Sequence, residues 1–267
     1  MTGTHIVTDN LSLTYPARGR NAALEALHGV SLNVERGELV GIVGPSGCGK
    51  TSLLRVLAGL EAATSGTWHI EAADPARPRA GMVFQQAGLF PWLTVEQNVA
   101  YGLQLRGEPA AARLATARHW LAEMELERFG RSYPAQLSGG MQQRVGLARA
   151  FAYNAEALLM DEPFGALDAQ TRLNLQQVLL RQYDREAQTV ILVTHSIEEA
   201  LTLSDRVLVM SARPGRILHE VHVPFARPRD AIALRSDPRF SALFAEVWDV
   251  LRDEVARARA AELEEVV

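Results

Sequence analysis

The segment Gly44-Pro45-Ser46-Gly47-Cys48-Gly49-Lys50-Thr51 restricts the possible folds of this chain more than any other. It fits the phosphate-loop pattern G-x-x-x-x-G-K-[ST], in which backbone amides and a helix N-terminus face phosphate oxygens. The apolar run Leu39–Val43 before it reads as a buried strand, and Thr51–Ala58 after it reads as a helix. Strand, glycine loop and helix in that order are the context the pattern requires. Amides from Gly47 to Ser52 would then point at phosphate oxygens. The chain has 27 basic residues, and Lys50 is its one lysine. Arginine's planar fork does not enter a tight cradle around a β/γ-phosphate as a compact ammonium does. A lysine kept only here points to a nucleoside triphosphate, with Gly44, Pro45, Ser46, Gly47, Cys48, Gly49, Lys50, Thr51 and Ser52 as the binding set.

Bulk properties narrow the classes further. A chain of 267 residues can bury one large core with appendages. The net charge of −4 gives no electrostatic reason to expect nucleic acid as a partner. Cys48 is the single cysteine, so no internal disulfide can form, which agrees with a reducing cytosol. Cys48 reads either as a small filler in a tight loop or as a redox sensor. The start, Met1-Thr2-Gly3-Thr4-His5, lacks the pattern of a signal peptide, and no apolar run approaches the ~20 residues that cross a bilayer. Docking on a protein that spans a membrane stays open.

Further along, Ile6 to Val34 alternates as an antiparallel β subdomain. Ala80 to Gln85 reads as a strand, and Thr94 to Tyr153 as mostly helical. Thr94-Val95-Glu96-Gln97 has the form of a capping box, and Pro109 suits the first turn of a helix running to about Phe129. Strands follow at Ala157–Met160, Thr189–Thr194 and Arg206–Met210, with Ser196-Ile197-Glu198-Glu199 capping a helix between the last two. Ile217 to Val223 is β-like, and Pro238 to Glu264 reads as a helix. The expected fold class is α/β: a phosphate-loop core with a parallel sheet, an N-terminal antiparallel β subdomain and a helical insertion. The expected division is a phosphate-loop domain over 1–215, with its helical part at about 88–155, and a β piece with a helical tail over 216–267.

Two more motifs carry chemistry. Four apolar residues ending in Asp161-Glu162 place two acids at the carboxyl edge of the sheet, beside the phosphate loop. Asp161 would hold Mg²⁺ together with the Thr51 hydroxyl, and Glu162 would polarise an attacking water. Leu137-Ser138-Gly139-Gly140-Met141-Gln142-Gln143-Arg144 opens a helix with free amides and a hydroxyl. That segment closely resembles the signature motif of the ATP-binding-cassette (ABC) ATPases, and the resemblance extends over about residues 5 to 215.

The resemblance implies further roles. Tyr15 would stack on adenine, although a plain strand tyrosine is the alternative. Gln85 would reach Mg²⁺ and the water, with the adjacent Gln86 as the other register. Asp168 would communicate across a dimer, and His195 would contact the γ-phosphate. Ser138, Gly139 and Gly140 would lie over ATP bound by a second copy, making a head-to-tail homodimer around two nucleotides. Met141 stands where glutamine is usual, a change that leaves the backbone amides intact.

Phe90-Pro91-Trp92-Leu93 is an apolar cluster at an expected surface. By resemblance, Phe90, Trp92 and Leu93 lie where a membrane permease docks. The runs around Leu93 and Asp161, and the tail Pro224-Phe225-Ala226-Arg227-Pro228-Arg229, resemble the nitrate, taurine and sulfonate importer branch, most of all its taurine and sulfonate members. That implies an ATP-hydrolysing motor on the cytoplasmic face of the inner membrane, linked indirectly to a periplasmic binding protein. A soluble ABC ATPase in DNA or translation work is the alternative. A phosphate-loop kinase is disfavoured by Leu137–Gln143.

Overall fold

The computed structural model describes residues 4–17, 22–186 and 188–265. β1 (Thr4–Tyr15) and β2 (Leu24–Glu35) pair antiparallel, with Ile6 opposite Val34 and Leu13 opposite Leu27. One face of this pair turns inward, with Ile6, Leu11, Leu27, Val30 and Val34 on it, and bulges along the strands shift the alternation between them. β3 (Leu39–Val43) follows, fully buried, then the glycine loop and α1 (Lys50–Leu57). Leu53, Leu54 and Leu57 of α1 join the buried residues of β1 and β2 in one cluster. Each such leucine contributes about 1.5–3 kcal/mol of burial.

β4 (Ser65–Ile70) completes a three-stranded sheet of order β2-β1-β4. This strand escapes the sequence pattern because five of its six residues are not buried, so it shows little apolar alternation. β5 (Ala80–Val83) begins the main sheet's outer side. Next come α2 (Val95–Leu105), α3 (Ala110–Glu123), α4 (Gly139–Tyr153), β6 (Ala157–Asp161) and α5 (Ala169–Glu186). β7 (Thr189–Val193), α6 (Ile197–Leu203), β8 (Arg206–Met210), β9 (Ile217–His222) and α7 (Pro238–Glu265) complete the chain.

The main sheet has six strands in the order β5-β6-β7-β3-β8-β9. The first five are parallel, and β9 runs antiparallel to β8. β3, β6 and β7 are buried along their whole length, as expected for strands covered on both faces. Parallel pairing brings the carboxyl ends of β5, β6, β7 and β3 to one edge. There Val83 lies beside Met160, and Val193 lies beside both Asp161 and Ile42.

One local expectation needs correction. The helix expected from Pro109 to about Phe129 starts at Ala110, with Pro109 just outside it, and ends at Glu123. Met124 and Leu126 are both almost fully buried, and Glu125 adopts φ 57, so the chain turns sharply to seat both apolar side chains. The Arg144 guanidinium donates to the Met124 carbonyl at 3.0 Å and closes the helix end. The cap expected at Ser196–Glu199 forms. Ser196 does cap α6 by accepting from the Glu199 amide at 3.2 Å, but the Glu199 side chain does not return to the cap. The box at Thr94–Gln97, in contrast, forms in both directions.

The tail is fastened to the core by charge. The Asp205 carboxylate accepts from Arg227 at 2.8 Å and from Arg229 at 3.1 Å, while Arg227 lies 3.8 Å over the Tyr183 ring. Burial and the neighbouring Arg227 lower Arg229 to about 10. Phe240, Val247 and Leu251 of the following helix α7 pack with Val43, Leu201 and Val209.

Candidate active site

The glycine loop owes its path to backbone conformations that side chains resist. Gly47 has φ 72 and Gly49 has φ 109. A Cβ on Gly49 would also meet the Ala26 carbonyl at 2.5 Å and Leu27 at 2.8 Å, so glycine is required twice over. Cys48 is 1% exposed and packs with the α1 leucines, which makes it a filler of the loop's inner side. Lys50 is only 6% exposed. Its ammonium donates to the carbonyls of Gly44 and Pro45, both at 2.8 Å, which fixes a point charge against the loop.

Thr51 and Asp161 meet next to it, with the hydroxyl donating to the carboxylate at 3.0 Å. Burial raises the pKa of Asp161, and the Thr51 hydrogen bond opposes that shift. A buried carboxylate beside a hydroxyl is a hard oxygen pair that a small divalent cation would stabilise in its charged form. Among the described residues no group of three or more His, Cys, Asp or Glu forms a cage. Mg²⁺ needs none, since it takes one or two protein oxygens plus phosphate and water.

The adjacent residue, Glu162, holds φ 46, unusual for a residue with a side chain. Its amide donates to the Val193 carbonyl of β7 at 2.9 Å, which ties the turn to the next strand. The Gln85 side-chain amide donates to Glu162 Oε2 at 3.1 Å, and His195 Nδ1 lies 3.3 Å from the same oxygen. Three neighbouring strand ends thus supply three side chains to one point. Gln85, not Gln86, makes the contact.

Tyr15 lies at the rim, its hydroxyl 3.2 Å from Ser52 Oγ. Tyr15, Ser46 to Ser52, Gln85 and Glu162 line one cleft of about 290 Å³. Arg213 joins this lining and donates to the Gly47 carbonyl at 3.4 Å, a neighbour with no motif to announce it. Ser138, Gly139, Gly140 and Asp168 do not line that cleft. Ser138 caps α4 by accepting from the Met141 amide at 3.3 Å. Asp168 accepts from the Thr171 amide at 2.9 Å, and that bond holds its carboxyl below the usual range.

On another face, Trp92 is 71% exposed, and its ring lies 5.6 Å from that of Phe90. Phe90 lines an adjoining groove of about 340 Å³ with Leu60, Met82, Phe84, Tyr101 and Leu105. Sequence reasoning missed the group that shapes this segment. Buried Asn98 donates to the carbonyls of Phe90, Leu93 and Thr94 at 3.0–3.1 Å and accepts from the Phe90 amide at 2.8 Å. A lone asparagine inside a helix carries no signal of that duty.

Comparison with known proteins agrees with this geometry. Residues 27–165 match the family model described as ABC transporter. An uncharacterized ABC transporter ATP-binding protein of Methanocaldococcus jannaschii, MJ0412, is 45% identical, over 94% of this chain and 92% of its own. The chain belongs to the ABC transporter family. It is an ATPase of the ATP-binding-cassette type. A taurine import ATP-binding protein, TauB, of Chromobacterium violaceum is 49% identical, with 89% of this chain and 92% of that one covered. Among solved structures, the bacterial ABC transporter cassette MJ0796 in dimeric form superposes with TM-score 0.75 at 34% identity, covering 83% of this chain and all of that one. A dimeric post-hydrolysis form of MJ0796, bound to ADP and Pi, gives TM-score 0.74. No helix among the described residues is long and apolar enough to cross a membrane.

Proposed function

We propose that this cassette is the motor subunit of a taurine or aliphatic sulfonate importer, acting as a head-to-tail homodimer. ATP lies in the cleft between Tyr15, the loop 44–52 and the strand ends. Lys50 and the loop amides hold the phosphates, while Thr51, Asp161 and Gln85 hold Mg²⁺, which supplies charge neutralisation when bound. Glu162 orients and deprotonates the attacking water, and His195 steadies that carboxylate and meets the γ-phosphate. Ser138, Gly139 and Gly140 of one copy close over the nucleotide of the other, and Asp168 relays that closure. The observation that most supports this reading is the convergence of Gln85 and His195 on one oxygen of Glu162, beside the Lys50 cradle.

The motor sits at the cytoplasmic face of the inner membrane, peripheral to a permease that docks at Phe90, Trp92 and Leu93. The exposed Trp92 and the apolar groove beside it suit a short amphipathic helix. The cargo reading rests on the taurine-import relatives, since the cargo does not touch a cassette. Glu162→Gln tests the motor: ATP should still bind, turnover should fall by about 10²–10⁴-fold, and a dimer should persist on a sizing column. Normal turnover removes Glu162 from this role. Uptake of labelled taurine, with nitrate as competitor, by vesicles carrying the permease and binding protein tests the cargo.

A further inference from the structure

Glu199 is 6% exposed on α6, and its side chain is turned away from water. An exposed carboxylate there would complete the capping box with Ser196 at little cost. Instead its Oε1 accepts from Gln176 of α5 at 3.0 Å, and burial raises its pKa. The Thr194 side chain lies beside the same carboxylate, the two lining one small void, and it opposes that rise. Thr194 Oγ1 in turn accepts from the Ser196 amide at 3.1 Å, and Ser196 Oγ accepts from the Glu199 amide at 3.2 Å. These bonds tie residues 194–196 to the start of α6, and His195 projects from that turn toward Glu162. A small void, about 20 Å³, is lined by Glu162 and His195 and also by Arg172 and Glu199. It is large enough for one water molecule.

We infer that Glu199 is a positioning residue for hydrolysis: through the Thr194 hydroxyl it sets the 194–196 turn and so aims His195 at Glu162. Gln176 and Arg172 belong to α5, which begins at Ala169 directly after Asp168. The Glu199–Gln176 bond therefore joins the His195 turn to the helix that leaves the Asp168 loop. The inference rests on the role of His195 proposed above, and the test separates the two.

Steady-state ATPase is measured, alongside thermal melting, for Glu199→Ala, Glu199→Gln, Thr194→Val, His195→Ala and Glu199→Ala combined with His195→Ala. Loss of aim costs turnover more than binding, so Glu199→Ala and Thr194→Val should each lower kcat about 10-fold with KM for ATP within about twofold. Glu199→Gln keeps an acceptor for Thr194 and should retain kcat within about threefold. The combined variant should be no slower than His195→Ala alone. Thr194→Val keeps the side-chain shape and carries the test if the alanine variant fails to fold. Wild-type kcat in Thr194→Val or Glu199→Ala, while His195→Ala is impaired, overturns the inference alone. An equal further loss in the His195→Ala background also overturns it. Full turnover by His195→Ala removes the His195 reading and this inference with it.

Discussion

Two helix starts in this molecule are packed in opposite ways. At the start of α1, Lys50 is buried, its ammonium is fixed by two loop carbonyls, and Gly49 sits in left-handed backbone against Ala26 and Leu27. At the start of α4, a Cβ on Gly139 would have nothing within 4 Å, and the Ser138 hydroxyl caps its own helix. The first is packed to completion by its own chain. The second offers free amides with no partner surface in the same cleft. In the homodimer proposed above, nucleotide binding and hydrolysis should respond to different helix starts.

Lys50→Arg should have the largest effect on that contrast. The guanidinium cannot make both 2.8 Å contacts in so closed a space, and removing such a preorganised charge costs about 10²–10³-fold in turnover. ATP affinity measured on the isolated chain should fall with it, and undiminished hydrolysis would show that the cradle does not depend on shape. Gly139→Leu should lower ATPase by about 10²-fold. Melting temperature and single-chain ATP affinity should stay unchanged, because its side chain meets nothing in its own chain. A parallel loss of ATP affinity would break the division between the two ends. Gly49→Ala should act on the fold itself, at about 1–3 kcal/mol of strain, read by denaturant unfolding without nucleotide.

The smallest effect is pH-dependent and belongs to the packed side. Burial raises Asp161, so the folded protein holds its proton to higher pH than the unfolded chain does. Stability therefore falls as pH rises from the unfolded to the folded pKa, and the penalty is complete above the latter. Asp161→Asn should melt higher than the wild type at neutral pH without nucleotide or cation. The difference should close below the ordinary carboxylate pKa. An asparagine variant that melts lower at neutral pH would show that the carboxylate is stabilised in the cation-free protein.

Much of the site is legible in the chain because it is written in short, local runs. The loop 44–51, the acids after Met160 and the Ser138 helix start each need only a few consecutive residues to be recognised. β4 was illegible because an exposed edge strand shows no alternation. The true end of α3 was hidden because Met-Glu-Leu-Glu-Arg favours helix locally, and only the burial of Met124 and Leu126 forces the turn. Glu199 looked like a capping residue, and its inward turn depends on Gln176, distant in sequence.

The chain's own sequence determined that a phosphate loop, an acidic strand end and a serine-capped helix exist, since strand, loop and helix signals are local physics. Only the tertiary structure decided that Gln85, Glu162 and His195 share one point. Their neighbourhood follows from the order β5-β6-β7-β3, in which burial on both faces and parallel pairing align strand ends that lie far apart in the chain. The same packing decided which glycine is boxed in and which is left open, because that depends on what the remote chain brings against it.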